Sequence, residues 1–237
     1  MFLSRDIGFG KIYYSDLLPE VEHFFTTRET NVDEHREKLC KYLKISPSDL
    51  INPTQTHSSN VKFAKIGVNN YPETDSLILN NYNQAIYLRF ADCAPVILYE
   101  KKANIGAIAH AGWRGTVAQI VPKTVKKMIN YTKSEMTDIY AVIGPAIGGC
   151  CYSVGDEVIR GIKSSVVNTN DVIFEQNSKI FIDLKQANFQ QLIETGVPAQ
   201  NIDICPFCTS CNNDEFFSYR KENGTIYRHN AVIKLKV

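Results

Sequence analysis

Runs of apolar residues alternate with polar turns along this chain. Some runs have the helical spacing i, i+3, i+4 and others alternate as in strands, which together predict an α+β protein. The clearest stretch lies between Ala85 and Ala111, where an alternating segment is followed by two apolar runs with a polar break between them. This pattern predicts a buried β-hairpin whose turn is centred between Lys101 and Asn104. Further strands are predicted at 9–26, where a turn interrupts them, and at 139–143, 202–204, 216–219 and 231–237.

Apolar residues at helical spacing predict the helices. The segment that Gly115 opens carries them at i, i+3 and i+4 as far as Ile129, and Pro122 is early enough to be tolerated in the first turns. Another helix ends at Gly196, with Pro198 shortly after it, which is a normal helix stop. The helices are predicted at 32–44, 117–129, 156–162 and 183–195.

The length and composition allow one substantial core, since the chain has 237 residues and a hydrophobic content of 44%. No repeat, low-complexity tract or linker divides it, so we expect residues 1–237 to form a single α+β domain with mixed β-sheets flanked by helices. The formal net charge of +1 provides no excess positive field for nucleic acid or for an anionic membrane. A small neutral or singly charged substrate fits this balance better.

The amino terminus and the cysteine content favour a cytoplasmic protein. Charged residues interrupt the first positions, and no later segment approaches the ~18 apolar residues of a membrane span. The seven cysteines are odd in number, and Cys150 is adjacent to Cys151, which is not typical of a disulfide framework. We therefore expect reduced thiols.

Two histidines and one cysteine are the candidate metal ligands. His57 follows a loop that the pair Asn52-Pro53 indicates, whereas Cys93 and His110 belong to the predicted hairpin. There the two lie opposite or nearly opposite each other, where cross-strand Cβ atoms are about 5 to 8 Å apart. Two imidazoles and a thiolate suit a zinc ion with three protein ligands and an open fourth position, as in catalytic zinc sites. The alternative is a core cysteine with two incidental histidines.

Six short motifs carry a resemblance to a known family. They are Gln-x-His at 55–57, Ala-Asp-Cys-x-Pro-Val at 91–96, His-Ala-Gly-Trp-Arg-Gly-Thr at 110–116, Ile-Gly-Pro-x-Ile at 143–147, Cys-Cys-Tyr-x-Val-Gly at 150–155 and Phe-Phe-Ser-Tyr-Arg at 216–220. With them the chain resembles the laccase-domain family, also called the multicopper polyphenol oxidase-like or purine nucleoside phosphorylase family. The resemblance implies that His57, Cys93 and His110 are zinc ligands. It also implies a layered α/β/β/α fold similar to that of a toxin deamidase.

The same resemblance implies a zinc enzyme that acts on purine nucleosides and inorganic phosphate. The implied reactions are phosphorolysis of adenosine, inosine, guanosine or methylthioadenosine, together with adenosine deamination. Cys93, His110 and Arg114 are then the predicted catalytic residues. Arg114 stands where a strand passes into a helix, and such a cation is a candidate for binding phosphate. Its alternative is an arginine that stabilises the turn.

Other polar and aromatic residues near the motifs are candidates for substrate contact. Gln55 could orient a ligand or a substrate amide by hydrogen bonding, or be an ordinary loop glutamine. Arg220 and Arg228 are further anion-binding candidates that the sequence does not rank. Asp92 is expected to be structural, because adjacent strand residues point to opposite faces. Trp113 is expected to pack rather than to stack on a purine.

A run of three cysteines, Cys205-x-x-Cys208-x-x-Cys211, has the close spacing of metal-binding thiolates. A fourth ligand is not evident nearby in the sequence, so free cysteines or a pocket lining are the preferred interpretation. Cys150 and Cys151 are expected to be buried thiols in a turn.

Three other functions remain as alternatives. A copper phenol oxidase of the laccase type would use a multicopper cluster, for which the five histidines of the chain are too few. A cysteine hydrolase or amidase, such as an enzyme that edits peptidoglycan precursors, would use Cys93 as its nucleophile and His110 or His57 as its base. A zinc-stabilised binding module would unfold when it lost its metal. The residues themselves do not exclude the cysteine hydrolase.

Overall fold

Three β-sheets and the helices around them make up the computed structural model, which describes residues 1–236. The strands are β1 (Phe2–Asp6), β2 (Lys11–Ser15), β3 (Val21–Thr26), β4 (Leu50–Ile51), β5 (Val61–Phe63), β6 (Ser76–Leu79), β7 (Ala85–Phe90), β8 (Ala94–Glu100), β9 (Ile105–Ala111), β10 (Ile139–Ile143), β11 (Ser153–Val154), β12 (Ile173–Gln176), β13 (Lys179–Ile182), β14 (Ile202–Ile204) and β15 (His229–Leu235). The helices are α1 (Val32–Leu43), α2 (Trp113–Val117), α3 (Ile120–Thr132), α4 (Asp156–Lys163) and α5 (Leu184–Thr195).

The two larger sheets face each other, and helices cover their outer faces. One sheet has the strand order β1-β2-β3-β15-β7-β4 and the other β14-β10-β8-β9-β6-β5. Between them lies a core to which Phe25, Leu88 and Ile233 contribute from the first sheet and Ile97 and Ile108 from the second. Helix α1 packs on the outside of the first sheet, and α3 and α5 pack on the outside of the second. The predicted α+β class and the α/β/β/α layering are thus confirmed, whereas the likeness to a toxin deamidase stays a prediction.

The predicted hairpin forms from β8 and β9. Its register pairs Glu100 with Ile105 and Pro95 with His110, so the turn lies at 101–104 as expected. Strand β7, by contrast, belongs to the other large sheet, and the chain passes from one sheet to the other between β7 and β8. Every residue of β8 and β9 is buried, so the hairpin is held between two cores. Its open end is therefore a rigid base for the residues that follow it.

The predicted helix 117–129 is divided in the structure, so the expectation of one continuous helix was wrong. Helix α2 ends at Val117, Gln119 takes a left-handed conformation with φ of 61°, and α3 begins at Ile120. Pro122 therefore lies in the first turn of α3, where the backbone N–H groups have no intrahelical partner. Farther inside a continuous helix, the same proline would remove a hydrogen bond and clash with the preceding turn.

The predicted strand 216–219 is also wrong, because these residues form a bend and a loop. Phe216 is nevertheless fully buried, so the apolar pattern reports burial rather than a strand. The backbone N–H of Ser218 donates to the Glu222 carboxylate at 2.9 Å, an acceptor that replaces a neighbouring strand. Aromatic side chains thus fill the core from a loop.

The remaining predicted helices and strands are confirmed, with ends that differ by a few residues. Val237, the last residue of the predicted strand 231–237, lies outside the described residues. The pattern did not indicate β1, β4, β5, β6 or the small sheet formed by β11, β13 and β12. None of the helices in residues 1–236 combines the length and the apolar character that crossing a bilayer requires.

Candidate metal centre

His57 and His110 are linked through the carboxylate of Asp75, a fully buried side chain. The backbone N–H groups of Thr56, His57 and Ser58 donate to it at 3.1, 3.0 and 2.8 Å, and Ser58 Oγ donates at 2.7 Å. His110 Nδ1 lies 2.8 Å from Asp75 Oδ1. One carboxylate therefore fixes both the loop of His57, whose φ is 59°, and the ring of His110.

Strand pairing brings Asp75 and His110 together. Asp75 immediately precedes β6, and the next residue, Ser76, pairs with Ala109 of β9. The backbone N–H of His110 donates to the Asp75 carbonyl at 2.7 Å. Because the carboxylate holds Nδ1, Nε2 is the ring nitrogen of His110 that is free for a ligand, as in most metal-binding histidines.

The structure brings all three candidate ligands together: donor atoms of His57, Cys93 and His110 lie within 4.8 Å of one another. Cys93 lies just before β8, and His110 pairs with Pro95, so the two candidates are diagonal neighbours in the hairpin. His110 is buried, Cys93 is half-buried and His57 is exposed, so the group is accessible from the side of His57. Its two imidazoles and one thiol fit zinc, and three protein ligands leave a fourth position for water or substrate.

Gly112 leaves the space that this group occupies. A Cβ atom at Gly112 would lie 2.7 Å from Cys93 Sγ and 3.3 Å from His57 Cδ2. The first distance is shorter than packed atoms tolerate, so any side chain here would displace the sulfur. Glycine is thus required by the close approach of the ligands.

Charges within the group favour a thiolate. Burial raises the pKa of the Cys93 thiol, but His110 and His57 lower it more, to about 6. Burial lowers the pKa of His110, whereas Cys93 and Asp75 raise it more, to about 9. Burial also raises the pKa of Asp75, but hydrogen bonds from His110 and Ser58 hold it well below its usual range. The thiolate is the form of cysteine that binds metals and acts as a nucleophile.

The three candidate ligands lie in the wall of a pocket of about 850 Å³, a volume typical of small-molecule sites. Arginine and aromatic side chains line much of the rest. The arginines are Arg89, Arg114, Arg220 and Arg228, and the aromatic residues are Trp113, Tyr152 and Tyr219. Guanidinium groups suit a phosphate, and aromatic faces suit a planar base.

The arginines predicted from the sequence all reach the pocket but are held differently. Arg114 is exposed, and its guanidinium carbon lies 4.4 Å from the ring centroid of Trp113. Arg220 Nη1 donates to the Ser153 carbonyl at 2.9 Å. Arg228 is half-buried, and its Nη1 donates to two nearby backbone carbonyls at 2.6 and 2.7 Å. Their binding of phosphate stays a prediction.

Gln55 also lines the pocket, but both ends of its amide bind the backbone of Arg89. Gln55 Nε2 donates to the Arg89 carbonyl at 3.0 Å, and Oε1 accepts the Arg89 N–H at 2.8 Å. The amide thus ties the loop before His57 to β7. Direct contact of Gln55 with a ligand or substrate stays a prediction.

Two residues of the site were missed by the sequence analysis. Arg89 lies in the apolar strand β7, where a charged residue beside Phe90 was the available signal, and its Nη2 is 2.8 Å from the Asp33 carboxylate. Asp75 precedes a short strand, and nothing in its spacing from either histidine distinguishes it from other aspartates. Asp92 has the expected structural contacts, since Thr209 Oγ1 and the Arg220 N–H donate to its carboxylate, each at 2.7 Å. The reason predicted for this was wrong, because Asp92 lies in a bend with φ of 86° rather than in a strand, and it also lines the pocket.

Two of the other cysteines differ from the prediction. Cys150 is exposed and Cys151 is half-buried, so neither is the buried thiol that was expected. Cys208 and Cys211 lie beside them, and the four thiols form a group that could hold a metal ion. Cys205 is buried and lies outside this group.

A thiolate and two histidines at the wall of a pocket of this size are features of enzymes that act on small molecules. The chain belongs to the family described as multi-copper polyphenol oxidoreductase laccase, whose model matches residues 1–236. The predicted family is thus confirmed.

Similar proteins carry enzyme names. The chain is 34% identical over 197 residues to adenosine deaminase RL5 of an unknown prokaryotic organism, covering 78% of this chain and 75% of that protein. It is 31% identical over 220 residues to purine nucleoside phosphorylase YlmD of Bacillus subtilis, covering 88% and 79%. The hypothetical protein YfiH of Bacillus licheniformis has the same fold, with a TM-score of 0.89 at 30% identity over 95% of this chain and 96% of that one. These names support an enzyme of this family.

Replacing Asp75 with asparagine is expected to lower the affinity for a metal ion about 10- to 100-fold, as loss of a group that orients a ligand does elsewhere. The amide keeps the size of the carboxylate, but its NH₂ group cannot accept a hydrogen bond from His110 or from the loop of His57. Competition with a chelator measures the metal dissociation constant. The control is Asp171→Asn at an exposed position. Equal affinities in the two variants would contradict a role of Asp75 in positioning the ligands.

Proposed function

We propose that the chain is a zinc-dependent purine nucleoside enzyme. In this proposal it splits adenosine, inosine, guanosine or methylthioadenosine with inorganic phosphate, and it also deaminates adenosine. The observation that carries the proposal is the position of His57, Cys93 and His110 in the wall of an arginine-lined pocket. Relatives named purine nucleoside phosphorylase and adenosine deaminase support the substrate class.

His57, Cys93 and His110 would hold the zinc ion, since imidazole and thiolate are ligands that zinc prefers. When bound there, zinc supplies Lewis acidity and lowers the pKa of a water molecule toward about 7. A multicopper cluster would need further histidines close by. Among residues 1–236, the groups suited to a metal ion contain His57 and His110 but no other histidine.

The other side chains of the pocket would bind and orient the two substrates. Phosphorolysis requires a phosphate oxygen beside C1′ of the ribose as the base leaves, so the anion has to be held in place. Arg89, Arg114 and Arg228 would hold it by charge-assisted hydrogen bonds. Tyr152 and Tyr219 would offer aromatic faces to the purine ring. Deamination uses the same ring orientation but needs no bound phosphate.

A second candidate function is a cysteine hydrolase or amidase. The observation that favours it is the succession of contacts from Cys93 through His110 to Asp75, which has the order of nucleophile, base and orienting carboxylate. With a pKa of about 6, Cys93 is a thiolate at neutral pH. The two functions share these residues and differ in whether Cys93 binds a metal or attacks the substrate.

We further propose that residues 1–237 act as one domain in the cytoplasm. Two sheets that share one core support the first part. The reducing cytoplasm would keep Cys93 available as a thiolate.

Combined metal and product analysis tests the proposal. Purified protein is incubated with adenosine, with and without inorganic phosphate, and the purines and sugars are separated by chromatography. Adenine and ribose 1-phosphate are expected only when phosphate is present. Inosine and ammonia are expected in either case, and with phosphate part of the inosine is split further to hypoxanthine and ribose 1-phosphate. One equivalent of bound zinc is expected to depend on His57 and His110. Zinc-loaded protein that converts no nucleoside, or copper-loaded protein that oxidises phenols instead, would contradict the proposal.

A further inference from the structure

Cysteines from two separate segments form a second group of thiols. We call it the four-cysteine cluster, and its members are Cys150, Cys151, Cys208 and Cys211. Their Sγ atoms lie within 4.8 Å of one another. The sulfur of Cys211 is 3.6 Å from that of Cys150 and 3.4 Å from that of Cys151. None of these residues belongs to the candidate metal centre.

Main-chain contacts hold the two segments of the cluster together. Ala146 and Cys208 form a parallel bridge, and the Thr209 N–H donates to the Ala146 carbonyl at 3.0 Å. The Cys151 N–H donates to the Gly148 carbonyl at 2.9 Å, which closes the turn that carries the adjacent cysteines. The Gly148 N–H in turn donates to Cys208 Sγ at 3.2 Å. Backbone N–H groups directed at sulfur are a feature of metal–thiolate sites, where they stabilise the negative charge.

We propose that the four-cysteine cluster binds one zinc ion as a closed structural site. A zinc–sulfur bond is about 2.3 Å long, so sulfur atoms at the corners of a tetrahedron around zinc are about 3.8 Å apart. The distances of 3.4 and 3.6 Å around Cys211 are close to that spacing. Four thiolates complete the tetrahedron and leave no position for a substrate, in contrast to the three ligands of the candidate metal centre.

A single ion fits this cluster better than a disulfide or an iron–sulfur cluster. A disulfide joins sulfur atoms in pairs at about 2.05 Å, whereas Cys211 is nearly equidistant from Cys150 and Cys151. An iron–sulfur cluster places several iron and sulfide atoms among its cysteines, which spreads the thiolates farther than one ion does. Sulfur atoms that all lie within 4.8 Å therefore favour one tetrahedral ion.

The structure selects a ligand set that differs from the sequence spacing. The run Cys205-x-x-Cys208-x-x-Cys211 suggests three successive ligands, but Cys205 is fully buried in the core and lies outside the cluster. Cys150 and Cys151 complete the set from a distant part of the chain. Cys205 is consequently a matched control, since it is a neighbouring cysteine that the ion does not use.

Zinc in the cluster would stabilise the wall of the pocket behind Cys93. Thr209 Oγ1 donates to the carboxylate of Asp92, which also accepts the Arg220 N–H. The Ile147 N–H donates to the Asp92 carbonyl at 3.0 Å. Asp92 is thus hydrogen-bonded to both segments that the ion would join. Because Asp92 is adjacent to Cys93 in the chain, an ion that holds these segments together would also stabilise the backbone next to Cys93.

The test measures the number of zinc ions bound per chain and not enzyme activity. A negative result would therefore contradict the second zinc site without contradicting the proposed function. Protein is loaded with zinc under reducing conditions, freed of excess metal and weighed by native mass spectrometry. The variant His57→Ala/His110→Ala is expected to retain one zinc ion. Adding Cys208→Ser and Cys211→Ser is expected to remove that ion, whereas adding Cys205→Ala is expected to leave it. A zinc-free His57→Ala/His110→Ala protein, or equal loss in the Cys205 variant, would overturn the proposal.

Thiol reactivity of the unaltered chain tests the same proposal without relying on variants that fold poorly. Cys150 and Cys211 are exposed, so without a metal they should react readily with an alkylating reagent. In zinc-loaded protein both are expected to be protected until a chelator is added, and peptide mapping identifies the sites. Rapid alkylation of the zinc-loaded protein would sink the proposal, as would iron in place of zinc or a disulfide within the cluster.

Discussion

Replacing Cys93 with serine is expected to release the metal ion held with His57 and His110 and to lower adenosine turnover about 10³-fold or more. A serine hydroxyl is not ionised at neutral pH, and two histidines alone form a weaker site. Loss of a Lewis acid removes several kcal/mol of transition-state stabilisation. Because each 1.36 kcal/mol is a factor of ten in rate, the expected loss is of that order. Metal content and kcat, measured on the same preparation, check this result.

Cys93→Asp separates the two roles that Cys93 could have. A carboxylate binds zinc at about 2.0–2.2 Å, so aspartate can replace the thiolate as a ligand. It cannot replace a thiolate nucleophile in the chemistry of a cysteine hydrolase. If Cys93 is a ligand, the aspartate variant should therefore retain zinc and more activity than the serine variant.

The control for both Cys93 variants is Cys40→Ala. Cys40 is buried in α1 and lies outside the pocket, so this change removes a thiol without touching the candidate metal centre. Full activity of metal-free wild-type protein, combined with inactivity of both Cys93 variants, would favour the cysteine hydrolase and contradict the zinc enzyme.

The proximity of Cys93 and His110 could be predicted from the sequence because it depends on one hairpin, whose apolar strands and polar turn are continuous in the chain. A hairpin register follows from the turn and from the apolar runs on each side of it. The observed pairing of Pro95 with His110 puts Cys93 two positions from the direct partner of His110, which agrees with the expectation that the two lie nearly opposite each other. The α/β/β/α layering required the family resemblance, because apolar periodicity does not show which sheet a strand joins.

Contacts between distant segments could not be predicted in the same way. His57 is fixed by Asp75, whose role depends on the pairing of β6 with β9 rather than on any short motif. The four-cysteine cluster depends on the bridge between Ala146 and Cys208, two segments that are remote in the chain. The strand predicted at 216–219 was wrong for a related reason, since a buried loop and a buried strand can have the same apolar composition.

Arg228→Gln is expected to raise the KM for phosphate about 10- to 100-fold and to lower the ratio of phosphorolysis to deamination. A hydrogen bond to a charged group contributes about 1.5–3 kcal/mol, and each 1.36 kcal/mol is a factor of ten. Arg228→Lys should restore only part of the affinity, because an ammonium group lacks the planar fork that binds two oxygens at once. Initial rates at varied phosphate, together with the rate of inosine formation, measure both quantities.

We expect Arg228 to contribute more to phosphate binding than the other arginines of the pocket. Its Nη1 is held by the carbonyls of Thr225 and Tyr227, which orients the guanidinium without neutralising it. Burial and the positive charge of Arg89 both lower the pKa of Arg228. A phosphate between Arg89 and Arg228 would relieve that repulsion.

The matched control for Arg228→Gln is Arg160→Gln, at an exposed position of α4 that does not line the pocket. It removes the same charge from the chain, so any effect of net charge alone would appear in both variants. An unchanged KM for phosphate in Arg228→Gln, with an increase in Arg114→Gln, would assign the anion to the exposed side of the pocket instead. Arg114 packs over Trp113. That outcome would therefore contradict the expectation that a phosphate binds between Arg89 and Arg228.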